Sequence, residues 1–129
     1  MGSDKTVLLV DDDADFVEMN RTLLQENGYS VRVAYSGRQC REEVNAHPPD
    51  LIILDMVMES ASVGFDLSRD LRNSERTKSI PLVMITSVND SNPFRLEPDR
   101  TWLPVDALLE KPVDPNLLLA VVDRALKGP

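Results

Sequence analysis

Four apolar runs in this chain end on residues that could handle a metal ion or a phosphoryl group. Residues 6–10, TVLLV, lead into Asp11, Asp12 and Asp13, and residues 51–54, LIIL, lead into Asp55. Residues 80–85, IPLVMI, lead into Thr86 and Ser87, and the short run 107–109 is followed by Glu110, Lys111 and Pro112. Three or more carboxylates brought together repel one another, by roughly 3 kcal/mol per pair at ~5 Å and an effective dielectric of ~20. A divalent cation relieves that repulsion. An all-oxygen set with few carboxylates suits Mg2+, or Mn2+ in its place. Lys111 adds a point charge able to pair with Asp55 or with a phosphoryl oxygen, and Thr86 adds a hydroxyl donor. A carboxylate nucleophile, a hard cation, a lysine and a hydroxyl are the parts needed to accept a phosphoryl group. Each alone is commonplace. An Asp at a strand end often does no more than cap the next segment.

The chemistry depends on elements that would gather these residues. LIIL has no polar alternation, which marks a strand buried on both faces in the middle of a parallel sheet. TVLLV reads the same way. SVRVAY, residues 30–35, is strand-like by its β-branched content, IPLVMI is a fourth strand and 107–109 a short fifth. A helix is predicted from about Ala14 to Asn27, capped by Asp13 and stopped by Asn27-Gly28. Its inner face takes Phe16, Met19 and Leu23, with Val17 and Leu24 nearby. Ser36 and Gln39 form a capping-box pattern for a second helix with Cys40 and Val44 on one face. After the loop MVMESASVG a third helix runs from about Phe65 to Asn73, with Leu67 and Leu71 inward. Asp114-Pro115 opens the last helix, which continues to Leu126. Strand and helix in alternation imply an α/β fold with parallel strands, right-handed crossovers and helices on both faces. All strands then end at one edge, where such folds bind ligands. Pro93, Pro98 and Pro104 forbid one continuous helix across residues 88–106.

A length of 129 residues with 42% hydrophobic content predicts a single domain over residues 1–129, with residues 1–5 as a flexible N-terminus. The net charge of −8 argues against nucleic acid and against an anionic membrane surface as partners. No stretch approaches the apolar length of a membrane span or a signal-peptide core. The lone cysteine, Cys40, excludes an internal disulfide, and a cytoplasmic setting fits. Cys40 has no basic partner on its helix face and reads as a small core residue. His47, beside Pro48 and Pro49, is assigned no role. Met1 to Thr6 and Asn20 to Thr22 match loose myristoylation and glycosylation patterns of low information.

The residues VDD at Val10 to Asp12, LDM at Leu54 to Met56, ITS at Ile85 to Ser87 and KP at Lys111-Pro112 resemble the receiver domain of two-component response regulators. The resemblance spans nearly the whole chain. It implies a doubly wound, flavodoxin-like, five-stranded parallel sheet of strand order 2-1-3-4-5. It implies that Asp55 accepts a phosphoryl group from a histidine kinase or phosphotransfer protein, and that a downstream protein reads the change. By the same resemblance Asp12 binds Mg2+ directly and Asp11 more indirectly, with Asp55 and the Val57 carbonyl as further ligands. Thr86 and Lys111 contact the phosphoryl group, and the Lys111-Pro112 bond is cis. Such a domain catalyses only its own phosphorylation and dephosphorylation. The chain departs from the family at Glu59, where Pro is usual, and at Leu108, where an aromatic is usual. It departs again at residues 88–106, the slot of the family's fourth helix, expected to be irregular or shortened here. Trp102 lies there, either as core or as part of a moving segment. A scaffold that binds partners regardless of phosphorylation is the alternative, and the intact acidic, Thr and Lys set weighs against it. A hydrolase acting on outside substrates typically needs a second acid two residues after its nucleophile, and Val57 holds that place.

Overall fold

The computed structural model describes residues 5–55, 61–87 and 106–127. Their elements run in the order β1 (Thr6–Val10), α1 (Ala14–Glu26), β2 (Ser30–Ala34), α2 (Gly37–Ala46), β3 (Leu51–Asp55), α3 (Ala61–Asn73), β4 (Leu82–Ser87), β5 (Ala107–Lys111) and α4 (Pro115–Lys127). The strands form one sheet in the order β2-β1-β3-β4-β5, and every neighbouring pair is parallel. Residues 88–105, with Trp102, lie outside the described residues, as do Val57 and residues 1–4.

Strand alternation divides the core in two. Leu8, Val10, Ile52, Leu54, Leu82 and Met84 pack with Cys40 and Val44 of α2 and with Leu67 and Leu71 of α3. Val7, Leu9, Leu51, Ile53, Val83, Ile85 and Leu109 pack with Phe16, Val17 and Leu24 of α1 and with Leu118 and Val122 of α4. Successive side chains of a strand face opposite sides, so a strand covered on both sides must be apolar at every position. That requirement produces the unbroken runs TVLLV and LIIL.

Helix ends are set by local bonds. The Asp13 side chain caps α1, accepting from the backbone N–H of Asp15 and Phe16 at 3.0 and 3.3 Å. At the far end Gly28 takes φ 95°, a left-handed conformation that lacks a steric cost only in glycine. It lets Tyr29 N–H bond to Leu24 O and Gly28 N–H to Gln25 O, both at 3.1 Å, closing a Schellman motif. In α2 the Ser36 hydroxyl accepts from Gln39 N–H at 3.1 Å. The return bond of the capping box shifts by one residue: the Gln39 amide oxygen accepts from Tyr35 N–H at 2.7 Å.

Three sequence expectations change. Met19 is 60% exposed, because the buried stripe of α1 runs through Phe16, Val17, Asn20 and Leu24. Asn20 fills the core position that Met19 was expected to share, with its amide nitrogen donating to Phe16 O at 2.8 Å. A buried polar group so satisfied costs little, and a buried Asn20 is no glycan acceptor. Helix α3 begins at Ala61, four residues before the predicted start. Gly64 reads as a loop residue, yet inside a packed helix glycine costs only about 1 kcal/mol. Strand β5 runs on to Lys111, past the predicted end at Leu109. Cys40 is fully buried, and that burial pushes its thiol up to about 12, consistent with a core role.

Tyr29 ties the α1–β2 junction to α4 by donating its hydroxyl to the Asp123 carboxylate. Burial, then the bond to Asp123 and its charge, push the Tyr29 phenol up to about 12. The fold therefore favours the neutral phenol. Its contribution to stability is whole below the unfolded pKa near ~10 and is lost as pH rises from there to about 12. Tyr29→Phe is expected to reduce this alkaline loss and to cost about 1 kcal/mol at neutral pH. Urea unfolding at neutral and alkaline pH checks both effects. An unchanged alkaline slope in the variant assigns it to another group.

Candidate functional site

Register and alternation place the carboxylates. Val10 lies opposite Leu54, so Asp11 and Asp55 are the next level pair, on adjacent strands. Both follow the parity of Leu9 and Ile53 and emerge on the α1–α4 side of the sheet's C-terminal edge. Asp11 is fully buried and Asp55 is 7% exposed. With the exposed Asp12 they form one group whose ligand oxygens lie within 4.8 Å of one another. Asp13, the other acid of the run, is diverted to capping α1.

Lys111 shares the parity of Leu109 on the same side of the sheet. Three strand spacings of ~4.8 Å separate β5 from β1. Its Nζ nevertheless lies 3.0 Å from Asp11 Oδ2 and 3.8 Å from Asp55 Oδ2. The ammonium therefore pairs first with Asp11, where the sequence suggested Asp55. Burial lowers the Lys111 pKa, but the bond and charge of Asp11, with the charges of Asp55 and Asp13, outweigh it and leave the group above its ordinary value. The lysine is held charged. The Lys111-Pro112 peptide is cis.

Among the described residues, three carboxylates against one ammonium leave two negative charges in a mostly buried space. Hard oxygen donors of this number fit a divalent cation that keeps part of its water shell. Asp11, Asp12 and Asp55 are the residues that could hold it.

Thr86 is half-buried at the end of β4, one residue past the level of Asp55, since Asp55 lies opposite Ile85. Alternation gives it the parity of Met84. The structure thus gathers Asp11, Asp12, Asp55 and Lys111 and sets Thr86 on the strand beside them. The expected Val57 carbonyl ligand lies outside the described residues. Leu108, in the place of the family's aromatic, packs partly buried against the α2–α3 core.

One further residue reaches the site that its sequence position did not signal. The Phe16 ring centroid is 4.4 Å from Lys111 Nζ. Phe16 reads in sequence as core by its helical spacing, and it is core; nothing in a one-dimensional pattern shows that its ring also faces a lysine from the far edge of the sheet.

Comparison with known proteins agrees with this geometry. The model of the response regulator receiver domain family matches residues 7–123. The chain is 32% identical over 126 residues to the transcriptional regulatory protein GltR of Pseudomonas aeruginosa, covering 95% of this chain and 49% of that protein. It spans about half the length of curated relatives such as this one. The crystal structure of the signal receiver domain of a signal transduction histidine kinase from Syntrophus aciditrophicus aligns with a TM-score of 0.82 at 27% identity, covering 96% of this chain and 91% of that one. The chemotaxis response regulator CheY4 of Vibrio cholerae aligns with a TM-score of 0.81 at 26% identity, covering 96% of this chain and 100% of that one. With the family model running from β1 into α4 and the acidic edge in the place the fold dictates, the chain belongs to the response regulator receiver domain family.

Proposed function

We propose that residues 1–129 work as one receiver domain, a phosphoacceptor switch in which Asp55 takes a phosphoryl group from a histidine kinase or phosphotransfer protein. A downstream protein then reads the altered surface. The carrying observation is Asp55 itself: a nearly buried carboxylate at the end of the central strand, with Asp11 and Asp12 on one side and the Lys111 ammonium 3.8 Å away. In the step, an Asp55 oxygen attacks the phosphorus of the donor phosphohistidine. The new P–O bond forms as the P–N bond breaks, and the electron pair leaves on the imidazole nitrogen, which takes up a proton. Lys111, held charged, faces the charge that spreads over the equatorial oxygens, and the Thr86 hydroxyl offers them a donor. Asp11, Asp12 and Asp55 are the groups for Mg2+, or Mn2+ in its place, which when bound neutralises that charge. The chain acts on no outside substrate and catalyses only its own phosphorylation and dephosphorylation. The setting is cytoplasmic; among the described residues no helix is long and apolar enough to cross a membrane.

The test of the switch is labelling by acetyl phosphate with Mg2+, then mapping of the modified residue. The cation half is tested separately. Asp12→Asn is expected to weaken Mg2+ binding about tenfold or more, the order expected on losing a charged ligand. Calorimetric titration of both proteins measures it, and equal affinities remove Asp12 from the ligand set.

A further inference from the structure

Lys111 needs more than a carboxylate to be useful. Its side chain leaves the edge strand on a flexible four-carbon stem whose ammonium has three donors and must be held in one rotamer to act at one place. Asp11 Oδ2 accepts at 3.0 Å, and Asp55 Oδ2 lies at 3.8 Å. The Phe16 ring lies 4.4 Å away, centroid to Nζ. An aromatic face attracts an ammonium through its quadrupole, whereas an aliphatic group there would present an apolar surface with nothing to offset the charge.

The backbone of Phe16 is tied to the site its ring faces. Asp11 Oδ1 accepts from Asp13 N–H at 2.9 Å. Asp13 in turn accepts from Phe16 N–H at 3.3 Å, and the Phe16 carbonyl accepts from the Asn20 side chain at 2.8 Å. Phe16 meets Lys111, and Lys111 returns to Asp11. The contacts close a loop from Asp11 through Asp13, Phe16 and Lys111 back to Asp11.

We propose that Phe16 is a positioning residue for the phosphorylation reaction: its ring face holds the Lys111 ammonium over the Asp11–Asp55 pair, ready for a phosphoryl oxygen at Asp55. This rests on the phosphoacceptor reading of Asp55, and the test separates the two. Phe16→Leu keeps apolar bulk and removes the π face. Phe16→Tyr keeps the face. Pentafluorophenylalanine at position 16 keeps the ring shape and reverses its quadrupole, so it remains informative where Leu unsettles the fold.

Two readouts are needed. In EDTA, 1H–13C spectra should show the Lys111 ε-methylene protons shifted upfield by the ring in wild type and Phe16→Tyr, and unshifted in Phe16→Leu. With saturating Mg2+, labelling by acetyl phosphate should slow about fivefold in the Leu and pentafluoro proteins and stay near wild type in Phe16→Tyr, the size expected from one partly buried cation–π contact. Wild-type labelling rate in the pentafluoro protein would overturn the proposal and leave Phe16 as packing. So would an unshifted Lys111 signal in wild type. If wild type takes no label at all while the Lys111 signal is shifted, the phosphoacceptor reading fails and the ring–ammonium contact stands.

Discussion

Asp55→Asn is expected to abolish labelling by a small phosphodonor, with intact-mass spectrometry showing the modified species in wild type and none in the variant. Asparagine matches aspartate in shape, but its amide oxygen is not a carboxylate nucleophile, and no covalent step can begin. The obvious objection, that the variant is unfolded, is answered by the electrostatics of the site. Asp55 faces Asp11 and Asp12 with oxygens within 4.8 Å, and Lys111 at 3.8 Å. At an effective dielectric of ~20 the two repulsions amount to roughly 3 kcal/mol each and the attraction to Lys111 to roughly 4. Among these charges, removing that of Asp55 relieves more than it loses. After solvent screening the variant should be more stable than wild type by about 1 kcal/mol in EDTA, read as a higher melting temperature. Labelling that persists in so stable a variant would put the nucleophile elsewhere.

Lys111→Met should also suppress labelling, by about a hundredfold. The thioether keeps most of the stem and removes the charge that meets the equatorial oxygens, an interaction of about 3 kcal/mol in comparable sites. Its effect on stability has the opposite sign to that of Asp55→Asn. The bond to the buried Asp11 at 3.0 Å and the pairing with Asp55 are lost, and the three carboxylates lose the ammonium that offsets them. Breaking a fully buried pair costs about 3–5 kcal/mol, and Lys111 is 24% exposed, so a loss of about 2 kcal/mol is expected in EDTA. Mg2+ should return most of it, because the cation then meets a site carrying one more uncompensated charge. Thermal melts of the two variants with and without Mg2+ test the pair of signs. A Lys111→Met protein as stable as wild type in EDTA would mean that the ammonium does not offset the acidic cluster.

Much of this was open to reading from residues alone, for local reasons. A parallel strand covered on both faces must be apolar throughout, so TVLLV and LIIL announce themselves, and chain order alone puts Asp11 and Asp55 at their ends. Caps are short-range bonds, and Asp13, Ser36 and Asn27-Gly28 mark their helix ends because the partner groups lie within a few residues. What misled was likewise local. Gly64 signals a break, yet α3 runs through it. Met19 fits a helical stripe by spacing, but the true stripe admits a polar Asn20 whose amide finds a carbonyl one turn back.

The tertiary structure decided the rest, because it depended on contacts between strands that are not neighbours. Sequence could supply a lysine to the acidic edge but not its first partner. That choice is set by the level of Lys111 on the edge strand and by which oxygen its stem can reach, and it falls on Asp11. Phe16 needed only to be apolar for α1 to pack. Its ring faces Lys111 because the order β2-β1-β3-β4-β5 puts α1 on the side of the sheet where Asp11, Asp55 and Lys111 emerge. Periodicity states which face a residue takes within its own element, and only the assembled sheet states what that face meets.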